Sequence, residues 1–146
     1  MIQRFQSFVT GITVCYKYIQ RIKSAEMTEF GLKGTHVMCL FFLHHNPDGL
    51  TAAQLCQLCA EDKAAISRTV AILQSKGFVD AGQKKYRAIL TLTPSGEEVA
   101  RQVDDLIEQW VGLGGDGLSA EERATFYRVL ELISGNLRER LENPQK

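Results

Sequence analysis

Three thiols and one imidazole in the first half of the chain have a spacing that metal sites use. Cys56 and Cys59 lie three residues apart, and so do His36 and Cys39. Residues at this separation share one face of a helix. Three thiolates with one imidazole can hold structural zinc, and a CxxC pair also occurs in thiol–disulfide enzymes. The spacing therefore allows a metal site, a redox pair or simple packing.

The surroundings of the CxxC pair favour packing. Ala52, Leu55, Cys56 and Cys59 form the apolar stripe that a helix over this stretch must bury, and free cysteine is often buried. A redox CxxC usually opens a helix after a strand, whereas this pair lies towards the end of its helix. We interpret the pair as core, and a thiol- or metal-responsive role of Cys56 and Cys59, or of Cys15, is the alternative.

The sequence gives little support for a hydrolase or a nucleotide-dependent enzyme. The chain has no Ser/His/Asp constellation and no glycine-rich phosphate motif, which are the usual marks of hydrolases and nucleotide enzymes. We therefore predict that the protein is not an enzyme, and we predict no cofactor and no bound metal.

Charge separates a basic middle from an acidic end. The formal net charge is zero, but residues 51–96 carry six Lys or Arg against three Asp or Glu, and residues 97–146 carry six against eleven. A local basic excess indicates local anion binding. Arg4, Lys17 and Arg21 interrupt the N-terminal segment, so it fits neither a signal peptide nor a membrane span. We expect a cytoplasmic protein with reduced thiols and no membrane partner.

Helical periodicity covers most of the chain. Apolar residues at three- and four-residue steps predict a long helix from residue 2 to about residue 25, and "HVMCLFFLHH" predicts a short buried helix. Thr51 and Gln54 fit a capping box that opens the next helix. After a short turn, Asp62 can cap a further helix that runs to about Ser75.

A hairpin follows this pair of helices. Gly77 ends the second helix, and "FVDA", "GQKKYR" and "AILTLT" predict strand, polar turn and strand. Thr93 with Pro94, and then Ser119 with Glu122, open two final helices. Each final helix carries an apolar seven-residue repeat. These repeats are Val99, Val103, Leu106, Trp110 and Leu113, and then Phe126, Leu130, Ile133, Leu137 and Leu141.

The order of elements predicts a mainly α fold with a small β-hairpin. A helix, a short turn, a second helix and a basic hairpin form a winged helix-turn-helix. The second helix is narrow enough to enter the major groove, and the first braces it across the DNA backbone. Cations on the hairpin can reach phosphates or the neighbouring minor groove.

Two segments of the sequence resemble the MarR family of bacterial transcriptional regulators. They are "GLTAAQLCQLCAEDKAAISRTVAILQSKGFV" and "AILTLTPSGEEVA", and the likeness covers nearly the whole chain. The resemblance implies one domain over residues 1–146, with a winged helix-turn-helix DNA-binding lobe at residues 31–93. A helical dimerisation lobe would comprise residues 1–30 and 94–146, where the first, fifth and sixth helices of two chains interlock. It implies a homodimer, usually a repressor, that binds a pseudo-palindromic operator in double-stranded DNA and responds to a small-molecule effector.

The second helix of the pair would supply the base contacts. Positions 64, 67 and 68 share a face, and Lys63 borders it. Arg68 can bind guanine through two hydrogen bonds, which gives about 1–3 kcal/mol of discrimination. Ser67 can exchange hydrogen bonds with base edges, and Ala64 can contact a thymine methyl. The alternative is a solvated helix face.

The wing departs from the pattern of the family. Relatives carry a longer tip with an acid before two arginines, whereas the tip here is "GQKKYRA". Tyr86 stands in place of the first arginine, and Arg87 matches the second. Lys84, Lys85 and Arg87 are the predicted DNA contacts of the wing, and a solvated basic turn is the alternative.

Two threonines complete the predicted DNA-binding residues. Thr51 and Thr69 are candidates for phosphate contacts, with a helix cap or a surface hydroxyl as the alternative in each case. The zero net charge and the short wing also leave open a different class of function. In that class the winged helix binds another protein and has no operator.

Overall fold

The computed structural model describes residues 2–28, 30–82 and 88–143, and the predicted mainly α, winged helix-turn-helix fold class is confirmed. The chain forms two compact units, residues 1–107 and residues 108–146. The predicted division into two functional lobes stays a prediction. The elements are α1 (Ile2–Glu26), α2 (Gly34–His44), β1 (Leu50–Thr51), α3 (Ala52–Cys59), α4 (Lys63–Ser75), β2 (Val79–Ala81), β3 (Ile89–Leu92), α5 (Pro94–Gly114) and α6 (Ala120–Glu142).

Over the described ranges, no helix is both long and apolar enough to cross a bilayer.

Side-chain caps start the helices where the sequence predicts them. The Thr51 hydroxyl accepts from the Gln54 N–H at 3.3 Å, and the Gln54 side chain accepts from the Thr51 N–H at 2.8 Å. Asp62 accepts at 2.7 Å from the backbone N–H three residues on. Ser119 and Glu122 repeat the reciprocal arrangement at the start of α6. Each cap satisfies backbone donors that have no partner within the helix.

The sheet has one strand more than the predicted hairpin. β2 and β3 pair antiparallel as expected, with Val79 opposite Leu92, but β1 pairs with the other edge of β3. In that pairing Leu50 lies opposite Leu90. A two-residue strand has no periodicity of its own, so only its pairing with β3 defines it.

The first unit is built around an apolar core that α2, the sheet and one face of α4 share with the beginning of α5. Val99 and Val103 of α5 are buried in this core, so the first part of the α5 repeat packs within the chain. Full burial of such a side chain contributes about 1.5–3 kcal/mol. The buried apolar residues are Met27, Leu32, Val37, Cys39, Leu40, Leu43, Leu50, Leu55, Ile66, Leu73, Val79, Leu90, Val99, Ala100 and Val103.

The end of α4 and the start of α5 are joined at one point, which we call the Gly77 junction (Gly77, Phe78, Thr93, Ser95 and Gly96). Gly77 has a left-handed φ of 73°, which an L side chain adopts only with strain, and it ends α4 as predicted. Its carbonyl accepts from the Thr93 hydroxyl at 2.6 Å and from the Ser95 hydroxyl at 2.9 Å. The Thr93 N–H donates to the Phe78 carbonyl at 3.0 Å. The Thr93 hydroxyl also accepts from the Gly96 N–H at 3.1 Å, so it caps α5.

Gly96 allows α5 to approach the chain that leaves α4. A Cβ at this position would lie 1.9 Å from the Phe78 carbonyl oxygen, and a backbone atom cannot move aside as a flexible side chain can. We therefore expect Gly96→Ala to lower the free energy of unfolding by about 1–3 kcal/mol, as overpacking commonly does. Thermal denaturation followed by circular dichroism measures the change.

Gly112→Ala is the matched control within the same helix. A Cβ at Gly112 meets no atom within 4 Å, and alanine in a helix is more stable than glycine by about 0.5–1 kcal/mol. Its melting temperature should be equal to or higher than that of the wild type. Equal losses in the two variants would show that the close contact with Phe78 is unimportant.

Candidate nucleic-acid interface

α4 has a buried face and a solvent-exposed face. Ile66, Thr69 and Leu73 are buried, because their spacing places them together against the core. The opposite face is exposed at the N-terminal end of the helix. The predicted base-contact residues Lys63, Ala64, Ser67 and Arg68 are all exposed there.

The preceding helix and a tight turn fix where α4 begins. Leu55 anchors α3 in the core, and Ala60 caps α3 in a left-handed conformation with a φ of 53°. The Glu61 N–H donates to the Cys56 carbonyl at 3.1 Å, and Asp62 then caps α4. This short connection gives the helix–turn–helix geometry in which the second helix can enter a major groove.

The two threonines predicted as phosphate contacts lie in different environments. Thr51 is half-buried and its hydroxyl is part of the capping box of α3. Thr69 is only 5% exposed. Its position between Ile66 and Leu73 on the inner face of α4 argues against a phosphate contact.

The wing cations lie outside the described residues. These are Lys84, Lys85 and Arg87, in the segment of the sequence between β2 and β3. The Gly82 N–H donates to the Ile89 carbonyl at 3.3 Å, which extends the pairing of β2 with β3 by one hydrogen bond. The DNA contacts assigned to the wing stay predictions.

Cys59 contacts a cysteine on another helix, which the CxxC spacing did not predict. The Cys59 sulfur lies 3.8 Å from the sulfur of Cys39 on α2. Cys56 and Cys59 are half-buried against the core. The Nδ1 atom of His36 accepts from the Lys33 N–H at 2.8 Å, so this imidazole holds the start of α2. In the ranges that the structure describes, no group of three or more His, Cys, Asp or Glu side chains is placed to hold a metal ion.

Two further histidines connect the end of α2 with α5. The Nδ1 atom of His44 lies 2.6 Å from a Glu97 carboxylate oxygen, and the Nε2 atom of His45 lies 2.9 Å from Asp104. The second Asp104 oxygen is buried without a hydrogen-bond partner among the described residues. These contacts hold α2 and the start of α5 in register.

Solved structures with the same architecture are numerous. A MarR protein from Peptoclostridium difficile is 20% identical, with a TM-score of 0.84 over 95% of this chain and 92% of that one. A crystal structure of MarR is 26% identical, with a TM-score of 0.73 over 90% and 91% of the two chains. The MarR family model also matches residues 30–84, which include α2, α3 and α4. The chain therefore has the fold of these MarR proteins, and its residues 30–84 match the family model.

A DNA complex is among the MarR structures that the chain resembles. This MarR family regulator from Listeria monocytogenes is complexed with a 26-mer DNA. It is 18% identical to this chain, with a TM-score of 0.84 over 94% of this chain and 93% of the other. The Listeria protein is described as a transcriptional regulator.

The buried imidazole of His36 should make stability depend on pH. Burial lowers the pKa of His36, and the charges of Lys33 and Lys76 lower it further. Below the unfolded pKa of about 6.5, the unfolded chain binds a proton that the folded chain does not. Stability should therefore fall as the pH drops from about 6.5 towards the lowered folded pKa.

His36→Gln tests this origin of acid sensitivity. A glutamine at the third position of a helix can accept the same backbone hydrogen bond, but it does not titrate. The loss of melting temperature between about pH 7.5 and pH 5.5 should be smaller in the variant than in the wild type. The same loss in both proteins would assign the acid sensitivity to other groups.

Proposed function

We propose that this protein is a homodimeric, sequence-specific DNA-binding repressor that uses α4 as its recognition helix. The observation that carries the proposal is the exposed face of α4, which presents Lys63, Ala64, Ser67 and Arg68 while the opposite face is held in the core. The similar Listeria protein in complex with DNA supports the same use of the fold. A repressor of this kind works in the cytoplasm, where DNA is available.

Each exposed side chain on α4 has a chemical role in this proposal. The Arg68 guanidinium donates two parallel hydrogen bonds to O6 and N7 of guanine. Ser67, one residue earlier, bonds a neighbouring base edge, and Ala64 lets the helix approach a thymine methyl. Lys63 binds phosphate as a point charge, and the wing adds Lys84, Lys85 and Arg87.

A second copy of the chain would cover apolar surface that the monomer exposes. Large apolar side chains lie exposed along α1, and others lie exposed along α6. Monomers rarely carry apolar patches beyond a few hundred Å². These side chains include Ile2, Phe5, Ile12, Tyr16 and Ile19 on α1, and Phe126, Leu132, Leu137 and Leu141 on α6.

In this proposal the dimer accounts for the two-fold symmetry of the operator and for the release of DNA by an effector. Two α4 helices must lie about one helical turn of DNA apart, roughly 34 Å, to enter successive major grooves. An effector that binds more tightly to a dimer with another spacing would release the operator, since a ligand shifts an equilibrium only by its differential affinity.

Arg68 variants test the recognition role of α4. Arg68→Ala should lose the preference for a selected operator over random DNA, which corresponds to about 1–3 kcal/mol for each contacted guanine. Arg68→Lys keeps the positive charge but loses the paired donors. It should therefore lose specificity and yet keep affinity for random DNA and its salt dependence. Fluorescence anisotropy across a salt series measures both quantities.

The operator for this experiment is selected from a random DNA pool with the wild-type protein. Gln74→Ala, an exposed change near the other end of α4, serves as the control and should bind as the wild type does. If wild type selects no sequence, or if Arg68→Ala retains full specificity, α4 is not the reading element.

Leu137→Asp tests the proposed dimer. Leu137 is 56% exposed on α6, and a charge buried at an apolar interface is costly. The dimer dissociation constant should rise at least tenfold, which corresponds to about 1.4 kcal/mol. Analytical ultracentrifugation over a dilution series measures it.

Asn136→Asp adds the same charge at the neighbouring exposed position. This control should keep the wild-type dissociation constant, since position 136 is turned about 100° away around the helix. A monomeric wild type, or equal weakening in the two variants, would exclude this α6 face as the dimer contact.

A further inference from the structure

Lys23 is a buried lysine near the C-terminal end of α1. It is only 8% exposed, although lysine is almost never buried without a partner. The start of α2 packs against its stem, since a Cβ on Gly34 would lie 3.1 Å from the Lys23 Cβ. Its ammonium makes no hydrogen bond or ion pair with any residue that the structure describes. A buried cation of this kind destabilises the fold, so its presence indicates a role other than stability.

Lys23 lines a pocket of about 220 Å³ between α1, the first turns of α2 and the turn that follows α3. Tyr16, Gln20 and Thr35 also line it, and their hydroxyl and amide groups can donate hydrogen bonds to a carbonyl oxygen. The volume is several times the roughly 30 Å³ that one water molecule occupies, and it lies below the roughly 300 Å³ at which sites for drug-sized ligands begin. The pocket therefore has room for a small molecule beside the amine.

Burial makes the amine of Lys23 more nucleophilic than that of an exposed lysine. It lowers the pKa of Lys23, while the charges of Glu61 and Cys59 act in the opposite direction. An exposed lysine with a pKa near 10.4 has fewer than about one unprotonated amine in a thousand at pH 7. Only the unprotonated form attacks a carbonyl group, and desolvation is a common way to increase its fraction.

Glu61 restricts which products the amine can form. It lines the same pocket, and its carboxylate interacts favourably with a positive charge on Lys23. Acylation would leave a neutral group facing Glu61, and addition of carbon dioxide would leave a second anion there, which is electrostatically unfavourable. Condensation with an aldehyde gives an imine, whose nitrogen can be protonated and so keeps the positive charge. The charges of the pocket therefore favour an aldehyde.

We propose that Lys23 is a Schiff-base site, at which a short-chain aldehyde enters the pocket between α1 and the turn after α3 and is bound covalently as an imine. The assignment follows from the burial of Lys23, from the pocket beside it and from the position of Glu61 on the same wall.

The condensation releases one water molecule for each imine. The lone pair of the amine attacks the carbonyl carbon, so that a carbon–nitrogen bond forms and the π electrons move to oxygen. The oxygen takes a proton and the nitrogen loses one, which gives a carbinolamine. The nitrogen lone pair then expels the hydroxyl group, which leaves with a proton as water while the carbon–nitrogen double bond forms. No electrons are transferred to or from the protein, and hydrolysis reverses the reaction.

Reductive trapping of the full chain tests the site. The protein is incubated with butanal and sodium cyanoborohydride at about pH 7, digested and analysed by mass spectrometry, since reduction fixes the imine as a butyl-lysine. Lys23 should be alkylated several-fold faster than Lys17, an exposed lysine on the same helix. Equal or faster alkylation of Lys17, or alkylation confined to the N-terminal amine, would overturn the proposal.

Two controls on the wild-type protein test whether the pocket is the cause. In urea the fold is lost, so Lys23 and Lys17 should be alkylated at similar rates. Pyrenecarboxaldehyde is too large for the pocket, so it should not react faster with Lys23 than with Lys17. A preference for Lys23 that survives both conditions would come from the local sequence and would contradict the role of the pocket.

Cys59→Ser separates amine chemistry from thiol chemistry, because Cys59 lines the same pocket. The variant should still be alkylated at Lys23, and circular dichroism confirms that it is folded. Loss of the Lys23 adduct in the folded variant would show that the thiol reacts first, and it would remove Lys23 as the primary nucleophile.

The pocket adjoins the start of α4. Ala60 and Glu61 line it and connect α3 to Asp62, the cap of α4. An adduct that fills the pocket would displace this turn and shift the first turn of α4. The consequence for DNA rests on the proposed function: the trapped adduct should lower operator affinity several-fold in the wild type and leave it unchanged in Lys23→Gln.

Operator binding by the trapped protein separates the two proposals. If Lys23 is alkylated and operator affinity falls in the wild type alone, both stand. Alkylation of Lys23 without a change in operator affinity removes the regulatory consequence and leaves the Schiff-base site. If untreated protein selects no operator, the proposed function fails, while the rate of alkylation at Lys23 still decides the Schiff-base site.

Discussion

The structure depends on the Gly77 junction, where the chain leaving α4 meets the chain entering α5. One carbonyl, that of Gly77, accepts from two hydroxyls, and Gly96 leaves room for the Phe78 carbonyl. β3 ends at this point and β2 begins beside it, so one set of contacts fixes α4, the wing strands and α5 together. Such a junction places the exposed face of α4 at a defined position relative to β2 and β3.

The caps and turns were predictable because they depend on residues three apart in the sequence. Thr51 with Gln54, Asp62, Thr93, and Ser119 with Glu122 each bond backbone groups of their own first turn. Gly77 belongs to the same class, since a left-handed helix end favours glycine. The exposed residues of α4 also follow from local periodicity. The burial of Thr69 could have been predicted, because it continues the stripe of Ile66 and Leu73.

The features that sequence reasoning missed depend on which elements meet in space. β1 is defined only by its pairing with β3. The partner of Cys59 is Cys39 on another helix, and the CxxC spacing suggested Cys56 in its place. Lys23 stands at an apolar position of α1, but nothing in the sequence places it beside Cys59 and Glu61. Likewise, Val99 and Val103 pack into the core of the first unit, and the seven-residue repeat could not distinguish this from pairing between chains.

Methylation interference on a selected operator tests most directly whether α4 reads DNA in the major groove. Guanine N7 lies in that groove, so a methyl group there blocks the pair of hydrogen bonds assigned to Arg68. Binding should be lost on methylation of guanines in two half-sites whose centres lie about one helical turn, roughly 34 Å, apart. Binding that tolerates guanine N7 methylation throughout the site, and fails only when minor-groove positions are modified, would contradict the assignment of α4 as the recognition helix.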